Sequence, residues 1–292
     1  MIPLEEAHKK FITHLRDKNR SGATILAYGK DIEQLITHLK KKGHSHVHHV
    51  KKEDIEEFMK NLMIEGYTTK SISRKTNSTK TFFRYLQINE YITDDPAYLL
   101  EHPRYDTKPP RILSKTEYRA LRDAARHEPR MYAVIELLLQ TGIRIGELAS
   151  VRLDDVRFSQ GNLQGEIDIR SANGKVSRTV PLNKSAEAAL KKYIEIRPDV
   201  KEKTLFTTKT GRPLLVRNIR TSIDKYFKIA GIKDAKVNDL RHTFVAHHLM
   251  SGASILLISK LAGHKQISTT EKYLDYIHKE QDREEKVKLD EL

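Results

Sequence analysis

Apolar residues recur at three-to-four spacing along most of the chain, a pattern that predicts a mainly helical protein. Over the first hundred residues it marks Leu4 to Leu15, Thr24 to Leu39, a segment from Lys52 to about Glu65, and Thr68 to Leu86. Ser21 or Thr24 is placed to cap the second of these, and Lys40-Lys41-Lys42-Gly43 closes it with cations where the helix dipole favours them. PRYDTKPPR (103–111) resists helix and strand alike, because its prolines fix the backbone and remove donors, so it predicts an extended linker. The helical period resumes at Ile112 with a Ser114/Glu117 capping box, and Met131 to Gln140 is apolar enough to be core. From Val156 the period shortens. GEIDIR (165–170) alternates, Asn173-Gly174 signals a hairpin, and SRTVPL (177–182) returns. Helices follow over Ser185 to Ile196 and Arg217 to Ala230, then over Leu240 to Met250, Ile255 to Ala262 and Thr269 to Ile277, the last three parted by Ser-Gly and Ala-Gly breaks. The expected fold is mainly α with a small β-sheet: a helical domain over residues 1–103, a linker over 104–111, and a mixed α/β domain over 112–292.

Charge adds a partner to this picture. The 292 residues carry a formal net charge of +14, and most of the excess falls after residue 103. A basic surplus concentrated in one part of a chain points to a polyanion. Nucleic acid fits better than a membrane, since no apolar run approaches a span and no basic amphipathic helix stands apart from a globular pattern. The chain has no cysteine, which excludes disulfides, thiolate catalysis and thiolate metal sites. MIPLEEAHKKF lacks the apolar core of a signal peptide, so a soluble cytoplasmic protein is expected. HSHVHHV (44–50) brings His44, His46, His48 and His49 together, but the spacing matches neither a structural zinc set nor a helical pair; a solvated loop is expected there, with no metal and no cofactor.

Several residues carry candidate chemistry. TTKSISRKTNSTKTFFRYL sets Lys70, Arg74, Lys75, Lys80 and Arg84 among hydroxyls and aromatics, as suits a helix lying along or in a DNA groove; a solvated face is the competing reading. Arg144 follows a glycine break beside a core helix, either as a structural partner of Glu147 or as a positioned anion ligand. Lys175 sits beside the hairpin turn, where a lysine is solvated or reaches into a neighbouring site. Lys236 to Tyr276 holds Arg241, His264 on a Gly-His turn, and Tyr273. A fixed cation, an imidazole and a phenol together suit phosphodiester chemistry. Each also has a bland reading: both arginines as core ion-pair members, His264 as a helix cap or packed ring, and Tyr273 or Tyr276 as core. His242, His247 and His248 read as structural, because their helix is mostly apolar.

TGIRIGEL, LRHTF, LAGH and STTEKY, in that order and at these separations, resemble the motifs of the tyrosine recombinases of the Xer and phage-integrase family; SISRK and FFRYL add a diffuse likeness in the first half. The resemblance implies a SAM-like helical DNA-binding domain ahead of a catalytic domain. It implies a site-specific recombinase that cleaves and rejoins strands through a 3′-phosphotyrosyl intermediate and a Holliday junction, working as a homotetramer on paired double-stranded sites, with room for a partner recombinase. Arg144 and Arg241 would be its arginines, Glu147 a supporting carboxylate, His264 the second-box histidine and Tyr273 the nucleophile. Two guanidiniums are permanently charged and bridge oxygens bidentately, so no metal is needed. The sequence departs from the family twice. Asn238 stands where a histidine is usual and can donate a hydrogen bond but cannot transfer a proton. Counting back from Val180-Pro181-Leu182 puts Asn173 where the catalytic lysine is expected, with Lys175 two places later as the candidate general acid. The tail is expected to dock on a neighbouring protomer through Ile277, Val287 and Leu289. Rival readings are a relaxing type IB topoisomerase, a non-catalytic DNA-binding regulator and a metal-dependent nuclease.

Overall fold

The computed structural model describes residues 1–104, 109–171, 174–275 and 277. The chain forms two compact units, residues 1–107 and 108–292, each with its own core. It is mainly helical with a small antiparallel sheet, as the periodicity predicts. Within the linker expected over 104–111, residues 105–108 lie outside the described residues.

The first unit packs α1 (Leu4–Asp17), α2 (Gly22–Lys41), α3 (Lys52–Ile64) and α4 (Thr69–Ile88) around Phe11, Leu35, Ile55, Phe82 and Phe83. Ser21 caps α2, its hydroxyl accepting from the Thr24 amide, and Thr68 caps α4 in the same way. The histidine segment departs from the solvated loop expected of it. The Leu4 amide donates to the Ser45 carbonyl at 3.0 Å and the Val47 amide to the Ile2 carbonyl at 3.2 Å, and Val47 is buried. His44 contacts Asp54 at 3.1 Å, beside Lys42 at 2.7 Å. Burial works against the Asp54 charge, but Lys42, the Lys51 amide and His44 outweigh it and pull the carboxyl down to about 2. Its stabilising contribution is therefore complete above about pH 4 and is lost as pH falls towards 2. Asp54→Asn is expected to cost about 2 kcal/mol at pH 7 and almost nothing at pH 2, read from urea unfolding of the two proteins at both pH values.

The basic helix also differs from its expectation in part. Lys75 is only 5% exposed, with its ammonium on Asp31 at 3.0 Å and Gln34 at 2.6 Å. Arg74 and Ser78 reach the same buried carboxylate. Asp31 thus ties α2 to α4, and Lys75 is turned inward onto it instead of lying on the exposed face expected of it. Lys80 donates to the Leu100 carbonyl at 2.9 Å. Lys70 and Arg84 are exposed, and Arg74 is half exposed.

In the second unit, the Ser114/Glu117 box opens α5 (Lys115–Ala125) as its sequence predicts. α6 (Pro129–Thr141) is the central helix, with Val134, Ile135, Leu137 and Leu138 buried, and α8 (Lys184–Ile196), α9 (Val216–Ile229) and α10 (Val237–Met250) pack on it. The sheet runs β1 (Val156–Arg157), β2 (Glu166–Arg170), β3 (Val176–Pro181), antiparallel, with Ile167 opposite Val180 and Ile169 opposite Arg178. Short α7 (Ile145–Ser150) leads into the sheet, while α11 (Ile255–Ala262) packs against β3. The helix expected over Thr269 to Ile277 is broken: α12 covers only Ser268–Glu271, and Lys272 and Tyr273 form a turn before helical residues resume. The Tyr273 amide bonds three residues back, to the Thr270 carbonyl at 3.1 Å, which tightens the chain there. Tyr276 and residues 278–292 lie outside the described residues, and with them Val287 and Leu289. Ile277 is described, and it is buried in its own chain.

Candidate active site

The site grows from a corner between two helices. α6 ends at Gly142, which takes a left-handed conformation (φ 62°) and leaves no room for a side chain, because a Cβ there would meet the Phe244 ring. Two residues later Arg144 caps α7. Its amide donates to Glu147 Oε2 at 2.8 Å, its Nη1 to Glu147 Oε1 at 3.0 Å and its Nη2 to the Gly263 carbonyl at 2.6 Å. The Arg144 side chain remains 45% exposed, so it is both the partner of Glu147 and open to an incoming anion. Arg241 approaches the same corner from α10. It is only 8% exposed, and its Nη1 donates to the Gly142 carbonyl. Burial and the charge of Arg144 press it down to about 10, still fully cationic at neutral pH.

Glu147 is gripped from the far side by Arg178, a residue whose part the sequence did not disclose. Both Arg178 terminal nitrogens donate to the carboxylate, at 3.0 and 2.8 Å, and its Nε donates to the Leu261 carbonyl at 2.8 Å. Gly263 caps α11 at φ 68°, and a Cβ there would strike the Arg178 guanidinium. One carboxylate therefore joins the first arginine, strand β3 and the end of α11. Burial works to raise the Glu147 carboxyl, but Arg178, the Arg144 amide and both guanidinium charges prevail and hold it below the usual range.

His264 follows that glycine. Its Nδ1 bonds the Thr270 hydroxyl at 2.7 Å, and its amide donates to the Ser259 carbonyl. Burial, with Arg241 and Arg144 next, pushes the ring down to about 4. At neutral pH it is an uncharged hydrogen-bonding group in a cationic setting, and an arriving phosphate would ease its protonation. Tyr273 is 4% exposed, packed with Phe244, Val245, Ala246, Ile258 and Ala262. Burial raises its phenol to about 12, against the pull of Arg241. Its hydroxyl meets Nδ1 of His242 at 2.5 Å. His242, which the sequence reads as structural, touches the phenol oxygen. The one signal in the sequence is its adjacency to Arg241.

The structure brings Arg144, Glu147, Arg241, His264 and Tyr273 into one neighbourhood. Asn238 is exposed on the first turn of α10, three residues before Arg241 and so on its side of the helix. Lys175 is exposed on the β2–β3 turn, which the Ser171 amide closes on the Lys175 carbonyl at 2.9 Å. Asn173, the position from which the lysine is displaced, lies outside the described residues.

Comparison with known proteins identifies the family of the chain. Residues 111–280 match the phage integrase family, and residues 9–89 match the phage integrase N-terminal SAM-like domain. The chain is 32% identical over 283 residues to tyrosine recombinase XerD of Staphylococcus saprophyticus, spanning 94% of each. Among solved structures it resembles XerA recombinase, at 25% identity and TM-score 0.55 over 96% of this chain and 98% of that one. It shares the fold of XerH site-specific recombinase bound to a palindromic difH substrate, at 19% identity and TM-score 0.77 over 97% and 84%. The chain belongs to the phage integrase family, and it is a tyrosine recombinase.

Proposed function

We infer that the chain recombines double-stranded DNA at a specific site, with Tyr273 as nucleophile. Arg144 and Arg241 hold the non-bridging oxygens of the scissile phosphate, and His264 adds a hydrogen bond, joined by the Asn238 amide. The Tyr273 oxygen forms a bond to phosphorus as the bond from phosphorus to the 5′-oxygen breaks. That oxygen takes a proton from Lys175, whose long stem on an exposed turn can reach it. The phosphotyrosine keeps the energy of the broken bond, so rejoining to a second strand needs no ATP. Exchange between duplexes passes through a Holliday junction and calls for four protomers on two sites, as a homotetramer or with a partner recombinase. Lys70, Arg74 and Arg84 contact the phosphate backbone from the first unit, and the protein works in the cytoplasm, where replicons are.

The observation that carries this reading is the meeting of Arg144, Arg241, His264 and Tyr273 around one corner, from segments 119 residues apart in the case of Arg144 and Gly263. Incubation with a duplex nicked beside its recombination site tests it. The short released strand cannot return, so a denaturant-resistant adduct accumulates. Peptide mapping is expected to place the nucleotide on Tyr273; no adduct with any site-bearing duplex overturns the reading.

A further inference from the structure

We propose that His242 is a further catalytic residue, the base that takes the proton of Tyr273 during strand cleavage and returns it during rejoining. The inference rests on the recombinase reading and names a group that reading does not use.

His242 follows Arg241 directly on α10, so the helix that anchors the buried guanidinium also fixes the imidazole. Its Nδ1 lies 2.5 Å from the Tyr273 oxygen, and the two rings are 5.8 Å apart at 44°. That contact spans 31 residues and joins α10 to the turn that interrupts the last helical segment. The broken helix has a consequence for the site: the turn sets the phenol against α10.

The protonation states follow from the surroundings. The charged groups acting on the pair are Arg241 and Asp239, with His264 beyond them. Burial, helped by Arg241, lowers His242 below its usual range despite Asp239, so the ring is neutral at pH 7. The phenol is protonated at pH 7. A neutral imidazole offers one lone pair, and the phenol proton needs an acceptor; among the described residues the Tyr273 hydroxyl bonds only to His242. The hydroxyl therefore donates to Nδ1, and the other ring nitrogen carries the imidazole proton. This is the arrangement of a nucleophile with its base.

The chemistry balances. The Tyr273 O–H bond breaks and its proton passes to Nδ1, giving an imidazolium. The phenolic oxygen bonds to phosphorus while the bond to the 5′-oxygen breaks, and that oxygen is protonated by the general acid. In the resting pair the transfer is uphill, since burial disfavours both ions, so it proceeds together with attack. A bound phosphodiester brings negative charge beside His242 and favours the imidazolium when it is needed. On rejoining, the imidazolium returns its proton to the departing phenolate.

Single-turnover cleavage of a nicked duplex tests the assignment with the full chain. His242→Gln keeps a hydrogen-bonding group without a usable base and is expected to slow adduct formation about 100-fold, while duplex binding and thermal unfolding stay near wild type. The wild-type rate should fall on the acid side as the imidazole becomes protonated, and His242→Gln should lose that limb. A rate in His242→Gln equal to or above wild type overturns the assignment; a rise would mean that the contact restrains the tyrosine. Should the variant fail to fold, the wild-type profile decides: a rate that does not fall on the acid side at any pH where the protein stays folded overturns it. Failure of wild type to form any adduct instead rejects the recombinase reading itself.

Discussion

Replacing Tyr273 with phenylalanine is expected to abolish the protein–DNA adduct completely while the protein still folds and binds its duplex. The substitution removes one oxygen. The ring remains packed against Phe244, Ile258 and Ala262, so its apolar burial is kept. The cost falls on His242, whose Nδ1 loses its partner, and amounts to about 1–2 kcal/mol. Neither His264 nor the two arginines replace the lost nucleophile. His264 is engaged with Thr270, and the arginines cannot act as nucleophiles at neutral pH. The competing tyrosine, Tyr276, makes the experiment discriminating. If it were the attacking group, Tyr273→Phe would retain the adduct and Tyr276→Phe would lose it. A denaturing gel of end-labelled nicked duplex, run with both variants, separates the outcomes, and adduct persisting in Tyr273→Phe would refute the assignment.

Much of this site is legible in the amino-acid sequence, for particular reasons. Arg144 stands out because it follows the glycine that ends a mostly apolar, buried helix. His264 follows another such glycine, and Tyr273 is set by spacing within its motif. The helices are legible through their caps: Ser21 and the Ser114/Glu117 box do in the fold what their sequence positions imply. What stays hidden depends on long-range contacts. Lys75 looks like its basic neighbours, and only the approach of Asp31 from another helix turns it inward. Arg178 lies on a strand that alternates like any other, and its grip on Glu147 is formed across 31 residues. His242 sits on a helix buried on most of its circumference, so no polar face singles it out. The break at Tyr273 overrides a continuous helical period because Thr270 is drawn inward to His264.

Arg241 separates function from stability most sharply. It is nearly enclosed, shares its surroundings with Arg144 and Arg178, and has Glu147 as the countercharge; the guanidinium descends to about 10 as a result. Holding it charged in the free protein costs on the order of 3 kcal/mol by the equivalence of pKa and free energy. The bond to the Gly142 carbonyl returns about 1 kcal/mol of that. Arg241→Met, similar in length and apolar, is therefore expected to leave the melting temperature unchanged or raise it. Strand cleavage should nevertheless fall about 1000-fold, the usual loss when a pre-placed cationic donor is taken from a developing oxyanion. Lysine is not a substitute. Bonding Gly142 through Nη1 fixes the guanidinium plane and leaves its other donors aimed together, whereas an ammonium offers a single point of charge. Arg241→Lys should hence remain at least about 100-fold impaired. Calorimetry beside single-turnover cleavage reads both effects: a variant that melts far lower yet cleaves at the wild-type rate would make Arg241 a structural cation. Stability without activity would mean that the free protein carries an electrostatic debt that only a phosphodiester settles.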